Sequence, residues 1–409
     1  MNPPTRFQAV STLSFLLLAL LAGCDESSHP LAEDPPDDLQ VAFAPFHSPV
    51  KDPVTVMSRN LYHGGDIGPV LAVGFSDLAL LTETAAAVWS EIQANDFNER
   101  VVALVDEIEE AMPDIIGLQE LALFDVSALN FGTMEYDDVH SVDFQKILEE
   151  ELESRGLPYS FIAVQENTVV KVPVSGFPTP DRYVPTELVQ LTLRDGVLVR
   201  SGMQIDGVSQ GNYQASKVVG IGPGDVPIEM FRGWIRVDAT IGSVPHHFVN
   251  THMEIQAFSD VQADQTEELL AEIAADLDGV TVLMGDFNSD AAASEGDRSW
   301  TPTYGQIRAA GFSDAWAMAN PGKSSAGLTC CNDSDLRNTK LGLNERIDFI
   351  FLRAPGLKGP QGHFPGAMAV EIIGDDAHGK TTPSGLWPSD HAGLVANLWW
   401  APGQVMRAK

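Results

Sequence analysis

Short apolar runs and helical segments alternate along the chain from about residue 53 onward. The run from Val280 to Met284 is apolar or β-branched at every position, which predicts a strand buried on both faces. Trp234 to Ile241 instead alternates apolar and polar residues, which predicts a half-buried antiparallel strand, and Phe248 to Thr251 is its expected partner. Apolar residues at helical spacing predict three helices, over 98–112, 144–152 and 261–277. This alternation predicts an α/β fold.

Polar side chains follow the Val280–Met284 strand directly. Gly285 allows a sharp turn, and Asp286 and Asn288 leave an extended segment on the same side while Phe287 faces the core. A carboxylate and an amide at the carboxyl end of a buried strand suit a phosphate or a hard cation. An Asx turn, in which both side chains only cap their own backbone, is an equally open interpretation.

Further polar clusters stand at the ends of other predicted strands. They are Asn60 in M-S-R-N-L-Y, Glu120 in D-I-I-G-L-Q-E, His252 in F-V-N-T-H, Arg346 and Asp348 in E-R-I-D-F-I-F, and Ser389 to His391 in W-P-S-D-H-A-G. Adjacent residues point to opposite sides of an extended strand, so Asp348 is a better partner for His391 than Asp390 is. Arg346 and Asp348 share one face of their predicted strand, and we expect that face to look into a site.

Two segments lack a regular pattern. Residues 169–187 carry four prolines, which predicts an irregular loop that forms a rim over the site and helps to choose the substrate. Residues 202–224 are rich in glycine and are predicted to be an irregular connection. His63 is expected to be a solvated loop residue, and His246 and His247 are expected to be turn residues.

The charge of the chain narrows the class of ligand. The 409 residues include 57 acidic and 24 basic ones, for a formal net charge of −33. A protein that holds a long polyanion needs a basic stripe, and the sequence contains no such cluster of Lys and Arg. This counts against a nuclease that wraps duplex DNA and favours a small phosphate ester or a lipid headgroup. Local basic patches or bound cations would still allow a nuclease.

The first 23 residues have the pattern of a signal peptide. Arg6 precedes an apolar run, Phe15 to Ala22, that is too short to span a bilayer as a mature helix. The run leads into Leu21-Ala22-Gly23-Cys24, which resembles a bacterial lipobox and implies cleavage before Cys24 and a lipid on its thiol. An ordinary secretory signal is the alternative, and both place the mature protein outside the cytoplasm. Residues 24–51 are predicted to be a flexible acidic tether.

The other cysteines, Cys330 and Cys331, are adjacent. A conventional disulfide framework is therefore absent, and the pair forms either a vicinal disulfide or two small buried thiols. A metal site at this pair is not expected, because no His or other Cys stands at ligand spacing around it.

In their order and spacing, the strand-end clusters resemble those of the endonuclease/exonuclease/phosphatase superfamily. Its members include deoxyribonuclease I-like nucleases, abasic-site endonucleases, inositol polyphosphate 5-phosphatases and bacterial sphingomyelinases. The resemblance covers roughly Val54 to Trp400 and implies a four-layer α/β sandwich, two mixed sheets packed face to face with helices outside. Periodicity alone would also allow a doubly wound sheet. Because the candidate site residues run from Asn60 to His391, we expect one catalytic domain, 52–402, followed by a tail, 403–409.

The resemblance also implies a metal site. Glu120 and Asp390 are the expected ligands of Mg²⁺, and Asn60 completes the oxygen set. Mn²⁺ or Ca²⁺ could replace Mg²⁺ with the same ligands.

Catalytic roles follow from the same resemblance. His391, oriented by Asp348, is expected to activate or position the attacking water, and Asp286 is expected to orient that water. Phosphate oxygens are expected to be held by Asn288, His252 and Asn60. The ester would be cut in line without a covalent intermediate, and neither a G-x-S-x-G motif nor a P-loop is present in the sequence.

Three functions are compatible with the sequence. The first is a lipid-anchored, Mg²⁺-dependent phosphodiesterase that acts on a small ester or a phospholipid headgroup. The second is an extracytoplasmic nuclease, which a basic groove beside Asp286 would favour. The third is a non-catalytic surface lipoprotein that kept the fold. No protein partner and no oligomeric state can be inferred from the sequence.

Overall fold

The computed structural model describes residues 54–221, 227–242, 244–275, 278–322, 327–354, 366–375 and 382–399. The predicted signal peptide, Cys24, the acidic tether and the C-terminal tail lie outside these residues. None of the described helices is long and apolar enough to cross a membrane.

The elements alternate along the described residues as the hydrophobic pattern predicts. The strands are β1 Val54–Asn60, β2 Ile115–Gln119, β3 Leu123–Asn130, β4 Glu135–Asp143, β5 Tyr159–Pro178, β6 Tyr183–Arg200, β7 Ile205–Asn212, β8 Lys217–Ile221, β9 Pro227–Met230, β10 Gly233–Ile241, β11 Val244–His252, β12 Val280–Asp286, β13 Ser313–Asp314, β14 Asp348–Arg353, β15 Gly366–Ile373 and β16 Gly393–Trp399. The helices are α1 Gly68–Val73, α2 Leu78–Ala94, α3 Phe97–Ala111, α4 Phe144–Ser154, α5 Ser259–Glu268, α6 Thr303–Ala309 and α7 Ala315–Ala319.

Two mixed sheets form the centre of the fold. One has the order β15-β16-β1-β2-β6-β3-β4, with β5 paired to β6, and the other has the order β13-β14-β12-β11-β10-β7. Strands β1 and β2 are parallel, as are β11 and β12, whereas the neighbouring pairs are antiparallel. A small two-stranded sheet joins β8 and β9.

Three apolar clusters define the layers. Val56 and Ile115 of the first sheet pack against Val237 and Val282 of the second, so the sheets lie face to face. The outer face of the first sheet is covered by α2, α3 and α4, and the outer face of the second by α5 and α6. The expected four-layer α/β sandwich is therefore confirmed.

Strand β12 shows why the central prediction succeeds. Val282 and Met284 pack between the sheets, while Leu283 and Phe287 pack on the helical side, so the strand is buried on both faces. At Gly285, which has a φ of +148°, an added Cβ would lie 1.9 Å from the carbonyl oxygen of Thr251. Only glycine allows this close approach, which sets the turn into Asp286.

The predicted irregular loop at 169–187 is wrong. These residues belong to the long antiparallel hairpin of β5 and β6. Strand β5 pairs with β6 alone among the described strands, and an edge position tolerates Pro173 and Pro178 because no further strand needs their missing N–H. Register shifts near Ser175 and Gly176 accommodate Pro185. None of the residues 169–187 lines the candidate site, so the predicted rim is not present either.

Three smaller predictions also need correction. Most of the Gly-rich segment 202–221 is strand, because β7 pairs with β10 and β8 pairs with β9. The helix predicted over 261–277 is α-helical only to Glu268 and continues as a π-helical turn over Leu269–Ile273. His246 and His247 lie within β11, not in a turn.

His246 gives a prediction for stability at low pH. Its ring is 1% exposed, and burial lowers its pKa from 6.5 to about 4. The unfolded chain binds this proton below pH 6.5 and the folded chain does not, so stability is lost as the pH falls from 6.5 towards 4. We expect His246→Phe to remove about 2 to 3 kcal/mol of the loss in unfolding free energy between pH 7 and pH 4.5. Urea unfolding at both pH values checks this.

The neighbouring His247 provides the matched control. Its Nδ1 lies 2.6 Å from Asp238 Oδ1, and its side chain is 14% exposed. His247→Phe introduces the same side chain at the neighbouring position and controls for the substitution itself. Equal pH dependence in the wild type and the His246→Phe protein would show that burial of this ring does not contribute to acid sensitivity.

Candidate active site

The candidate site lies where the carboxyl ends of two parallel strand pairs meet. Asn60 of β1 stands opposite Gln119 of β2, and His252 of β11 stands opposite Asp286 of β12. Because the two sheets face each other, these ends border one cleft of about 580 Å³. The predicted residues that line it are Glu120, His252, Asp286, Asn288, Asp390 and His391. Asn60 and Asp348 are fully buried directly behind them.

His391 and Asp348 form the predicted pair. His391 Nδ1 lies 2.8 Å from Asp348 Oδ2, while its Nε2 faces Asp286 Oδ2 at 3.8 Å and Asp390 Oδ1 at 4.0 Å. Burial alone would lower the pKa of His391, but the carboxylates of Asp348, Asp390 and Asp286 raise it well above 6.5. One ring nitrogen is thus anchored, and the other is directed towards the acidic centre of the cleft.

Ser389 fixes this segment to the end of β1. Its hydroxyl donates to the Asn60 carbonyl oxygen at 2.9 Å and accepts from the His391 backbone N–H at 3.1 Å. The W-P-S-D-H sequence therefore places His391 beside Asn60 through backbone contacts.

Asn60 connects the two sheets. Its Nδ2 donates to Glu120 Oε1 at 3.2 Å and to Asp286 Oδ2 at 3.1 Å, and its Oδ1 accepts from the Tyr62 backbone N–H at 2.9 Å. In this arrangement Asn60 positions a carboxylate from each sheet. Its direct contact with a cation or a phosphate stays a prediction.

Glu120 and His63 form a contact that the sequence did not indicate. Glu120, in the left-handed region with a φ of +58°, accepts from the His63 backbone N–H at 2.9 Å through Oε2, and the same oxygen contacts His63 Nδ1. Although burial raises the pKa of Glu120, His63 lowers it to well below 4.5. The prediction of a solvated His63 is wrong, because its side chain is only 12% exposed. A cation bound by Glu120 would share this carboxylate with His63.

A second cluster surrounds His252. Its Nε2 lies 3.2 Å from Asn288 Nδ2 and 3.5 Å from Asp286 Oδ2. Arg232 Nη1 approaches the same nitrogen to 3.2 Å, and Arg232 Nη2 donates to Glu254 Oε1 at 3.1 Å. Burial and the Arg232 charge lower the pKa of His252 well below 6.5, so this imidazole is neutral near pH 7.

Sequence reasoning missed Arg232 and Glu254. They flank the start of β10 and the end of β11, whose pairing places Trp234 opposite Thr251. The predicted pairing of these two strands was the signal from which the proximity of Arg232 and Glu254 could have been inferred. Arg232 is the only Arg or Lys among the described residues that line the cleft.

Asp286 and Asn288 combine both interpretations of the G-D-F-N-S sequence. The Asn288 backbone N–H donates to Asp286 Oδ1 at 2.9 Å, which is the Asx turn, and Asn288 adopts a φ of +48°. The other carboxylate oxygen of Asp286 accepts from Asn60 and faces His391. The Asx turn therefore holds the Asp286 carboxylate in the orientation in which it contacts Asn60 and faces His391.

The acidic groups fit a divalent cation. Ligand atoms of Asp286, Asp348 and His391 lie within 4.8 Å of one another. Burial, followed by the charge of Asp348, raises the pKa of Asp286 to about 8, and burial raises the pKa of Asp390 to about 6. Carboxylates crowded in this way are stabilised by a bound cation, and oxygen ligands suit Mg²⁺ or Mn²⁺. The Glu120–Asp390 metal set stays a prediction.

Cys330 and Cys331 form a vicinal disulfide in the wall of the cleft. The next residue, Asn332, donates its backbone N–H to the Asp390 carbonyl oxygen at 2.8 Å. The sequence allowed either a vicinal disulfide or two buried thiols, and the structure contains the disulfide. It borders the segment that carries Asp390 and His391.

The predicted site-facing role of Arg346 is wrong. Strand β14 begins only at Asp348, so the two residues do not share a strand face. Arg346 Nη1 donates to Asp314 Oδ2 at 2.6 Å, and the guanidinium lies 4.9 Å from the centre of the Phe349 ring. Arg346 is a buried structural residue on the helical side of the second sheet.

Comparison with known proteins places this geometry in a family. The Endonuclease/Exonuclease/phosphatase family matches residues 88–391 of the sequence. No curated protein matches it. One similar solved structure is the endonuclease/exonuclease/phosphatase family protein from Leptotrichia buccalis C-1013-b, at 15% identity and a TM-score of 0.47, covering 84% of this chain and 99% of that one. The corresponding protein from Bacteroides vulgatus has 16% identity and a TM-score of 0.47, covering 86% and 100%.

A third similar structure is D. rerio TDP2 complexed with single-strand DNA product, at 14% identity and a TM-score of 0.48, covering 85% of this chain and 98% of that one. The family match spans Glu120, His252, Asp286, Asn288, Asp390 and His391, all of which line the cleft. The chain belongs to the endonuclease/exonuclease/phosphatase family.

Proposed function

We propose that this protein is a divalent-metal-dependent phosphodiesterase that acts on small phosphate esters outside the cytoplasm. Members of its family are phosphoester hydrolases that generally depend on divalent metals. The observation that carries the proposal is the His391–Asp348 pair, which directs a ring nitrogen at Asp286 inside an acidic cleft. Water held between these groups can lose a proton to His391 Nε2 as its oxygen attacks phosphorus.

The chain supplies three functions in that reaction. Asp286 orients the water, the neutral His252 and Asn288 hold a phosphoryl oxygen, and Arg232 adds a positive charge beside them. A bound divalent cation would neutralise the phosphoryl oxygens and lower the pKa of the surrounding imidazole and carboxyl groups. The leaving oxygen takes up a proton, and the products are an alcohol and a phosphate monoester.

The charge of the cleft supports a small substrate. The described lining combines Arg232 with six acidic residues, Asp66, Glu120, Glu254, Asp286, Glu345 and Asp390. A long nucleic acid requires several cationic contacts with its backbone, and this cleft offers one guanidinium among its described residues. We therefore favour a single phosphodiester group as the unit that is recognised.

The sequence before the catalytic domain supports the proposed location. The Leu21-Ala22-Gly23-Cys24 sequence follows a short apolar run, as in a lipidated signal peptide. We propose that a lipid on Cys24 holds the protein at a bacterial membrane, facing the periplasm or the exterior, with residues 24–51 as a tether. Mass spectrometry of the membrane-associated protein should detect the lipid, and a Cys24→Ala variant should be released.

Hydrolysis of bis-p-nitrophenyl phosphate by the full chain tests the activity. Turnover should require Mg²⁺ or Mn²⁺ and stop with EDTA, and an Asp286→Asn protein prepared identically should be at least about 100-fold slower. Faster cleavage of p-nitrophenyl phosphate would indicate a monoesterase, and efficient nicking of DNA would indicate a nuclease. Absence of turnover on all three substrates with Mg²⁺, Mn²⁺ and Ca²⁺ would overturn the proposal.

Arg232 gives a separate prediction. A charge-assisted hydrogen bond to phosphate contributes about 1.5 to 3 kcal/mol, so Arg232→Met should lower kcat/KM by about 10- to 100-fold, mainly through a higher KM. Arg236→Met is the matched control, because Arg236 lies on β10, four residues after Arg232, and pairs with Asp238 at 3.2 Å away from the cleft. Steady-state kinetics on the diester check this. If the Arg232→Met protein had wild-type kinetics, Arg232 would have only the structural role of pairing with Glu254.

A further inference from the structure

A separate apolar cavity lies between helix α2 and the β5–β6 hairpin. It has a volume of about 60 Å³, and its lining includes Val70, Trp89, Phe124, Val172, Leu191 and Met230. Thr168 carries the one hydroxyl among the described lining residues, and this hydroxyl already accepts from the Phe231 backbone N–H at 2.7 Å and donates to the Phe231 carbonyl oxygen at 3.1 Å. Apart from the indole N–H of Trp89, the described lining side chains offer water no hydrogen bond, so the cavity suits an apolar group.

The cavity adjoins the catalytic cleft. Ile67, Leu71, Leu193 and Met230 line both spaces. Met230 stands two residues before Arg232, and Leu193 lies on β6 two residues before the buried Asp195. These shared side chains place the cavity next to the part of the cleft that contains Arg232.

Apolar side chains around this space are left partly exposed. Leu71, Val88, Val172 and Leu191 line it and are only half-buried. An apolar chain that fills the space removes their surface from water, which stabilises the complex in proportion to the area that is buried.

We propose that this cavity binds the unbranched alkyl or acyl chain of the phosphodiester substrate. The inference rests on the proposed function and adds the class of substrate. One water-sized group needs about 10 to 15 Å³ of such volume, so a cavity of about 60 Å³ accepts about four to six carbons. The substrate is then a phosphodiester in which one ester group carries an apolar chain.

A series of alkyl p-nitrophenyl phosphates tests the proposed binding of the alkyl chain. All members release the same leaving group, p-nitrophenol, so only the length of the alkyl chain varies. Methyl, butyl, hexyl and decyl esters are compared below their aggregation concentrations. Each buried methylene should raise kcat/KM about three- to fourfold, so the five additional methylenes of the hexyl ester should raise it at least about 200-fold over the methyl ester, and the gain should level off beyond about six carbons.

The helix beside the cavity offers a matched pair of variants. Ala85 lines the cavity and is 2% exposed, whereas Ala87 is exposed on the same helix. Ala85→Leu should fill the space and reduce the hexyl-to-methyl ratio to below about threefold, while its wild-type rate on the methyl ester shows that it is folded. Ala87→Leu should keep the full ratio.

Tryptophan fluorescence provides a readout that does not need turnover. Trp89 lines the cavity, so 6-bromohexyl phosphate should quench it, and the quenching should be lost in Trp89→Phe and in Ala85→Leu. Quenching without hydrolysis of any ester would overturn the proposed function and support the cavity. Hydrolysis with equal kcat/KM for the methyl and hexyl esters and no quenching would overturn the cavity while the phosphodiesterase function stands.

Discussion

Replacing His391 with alanine is expected to lower kcat/KM for a phosphodiester by about 10²- to 10⁴-fold, the range that a general acid–base group contributes. The variant removes the ring nitrogen that faces Asp286 Oδ2 at 3.8 Å and leaves the carboxylates of the cleft in place. Asp348→Asn should keep the ring but lose the charge that raises the pKa of His391. The acid limb of its pH–rate profile should therefore move to lower pH.

The His247–Asp238 pair is a natural control for this measurement. It joins an imidazole to a carboxylate at 2.6 Å in the same way, but it lies at the opposite end of β11 from the cleft. His247→Ala should leave turnover unchanged. A His391→Ala protein that retains wild-type kinetics and circular dichroism would remove His391 from the mechanism and leave His63 and His252 as the other imidazoles among the described residues that line the cleft.

Replacing Glu120 with glutamine is expected to weaken Mg²⁺ binding by at least about 100-fold, because the carboxylate that we expect to bind the cation becomes a neutral amide of the same shape. The Mg²⁺ concentration for half-maximal hydrolysis should rise accordingly, and isothermal titration calorimetry should give the same factor. Glu120 also raises the pKa of His63 against the opposing effect of burial. The pKa of His63, followed by NMR, should therefore fall in the variant.

Glu83→Gln controls for the loss of one negative charge, because Glu83 is exposed on α2. It should change neither the Mg²⁺ dependence nor the His63 titration. If Glu120→Gln needed no more Mg²⁺ than the wild type, the cation would have to lie within the Asp286, Asp348 and His391 group alone.

The local hydrophobic pattern was sufficient to predict those strands whose structure depends on burial alone. Val280–Met284 is buried on both faces because its two sides meet two different apolar clusters, and a continuous apolar run reports that directly. The alternation in Trp234–Ile241 reported a strand with one covered face. Strand β12 ends beside His252, because the parallel pairing of β11 and β12 brings both carboxyl ends to one edge, so the cleft could be placed from strand ends.

Sequence reasoning failed where a distant partner decides the outcome. Pro173 and Pro178 predict a loop until β5 is known to be an edge strand. His63 is buried because Glu120, 57 residues away, accepts from it. Arg346 missed its predicted face because β14 begins two residues later than the pattern suggested, and element boundaries are the least certain part of such a prediction.

The two hydrogen bonds of Asn60 have a thermodynamic consequence. They join Glu120 from the first sheet to Asp286 from the second, so the site exists only while the sandwich is closed. A ligand bound there stabilises the native state as a whole, by about 2.7 kcal/mol at 100 times its dissociation constant. Amide hydrogen exchange in β2 and β12 should slow together when such a ligand binds, although these strands belong to different sheets. A ligand in the site would then hold the two sheets together in addition to taking part in the reaction.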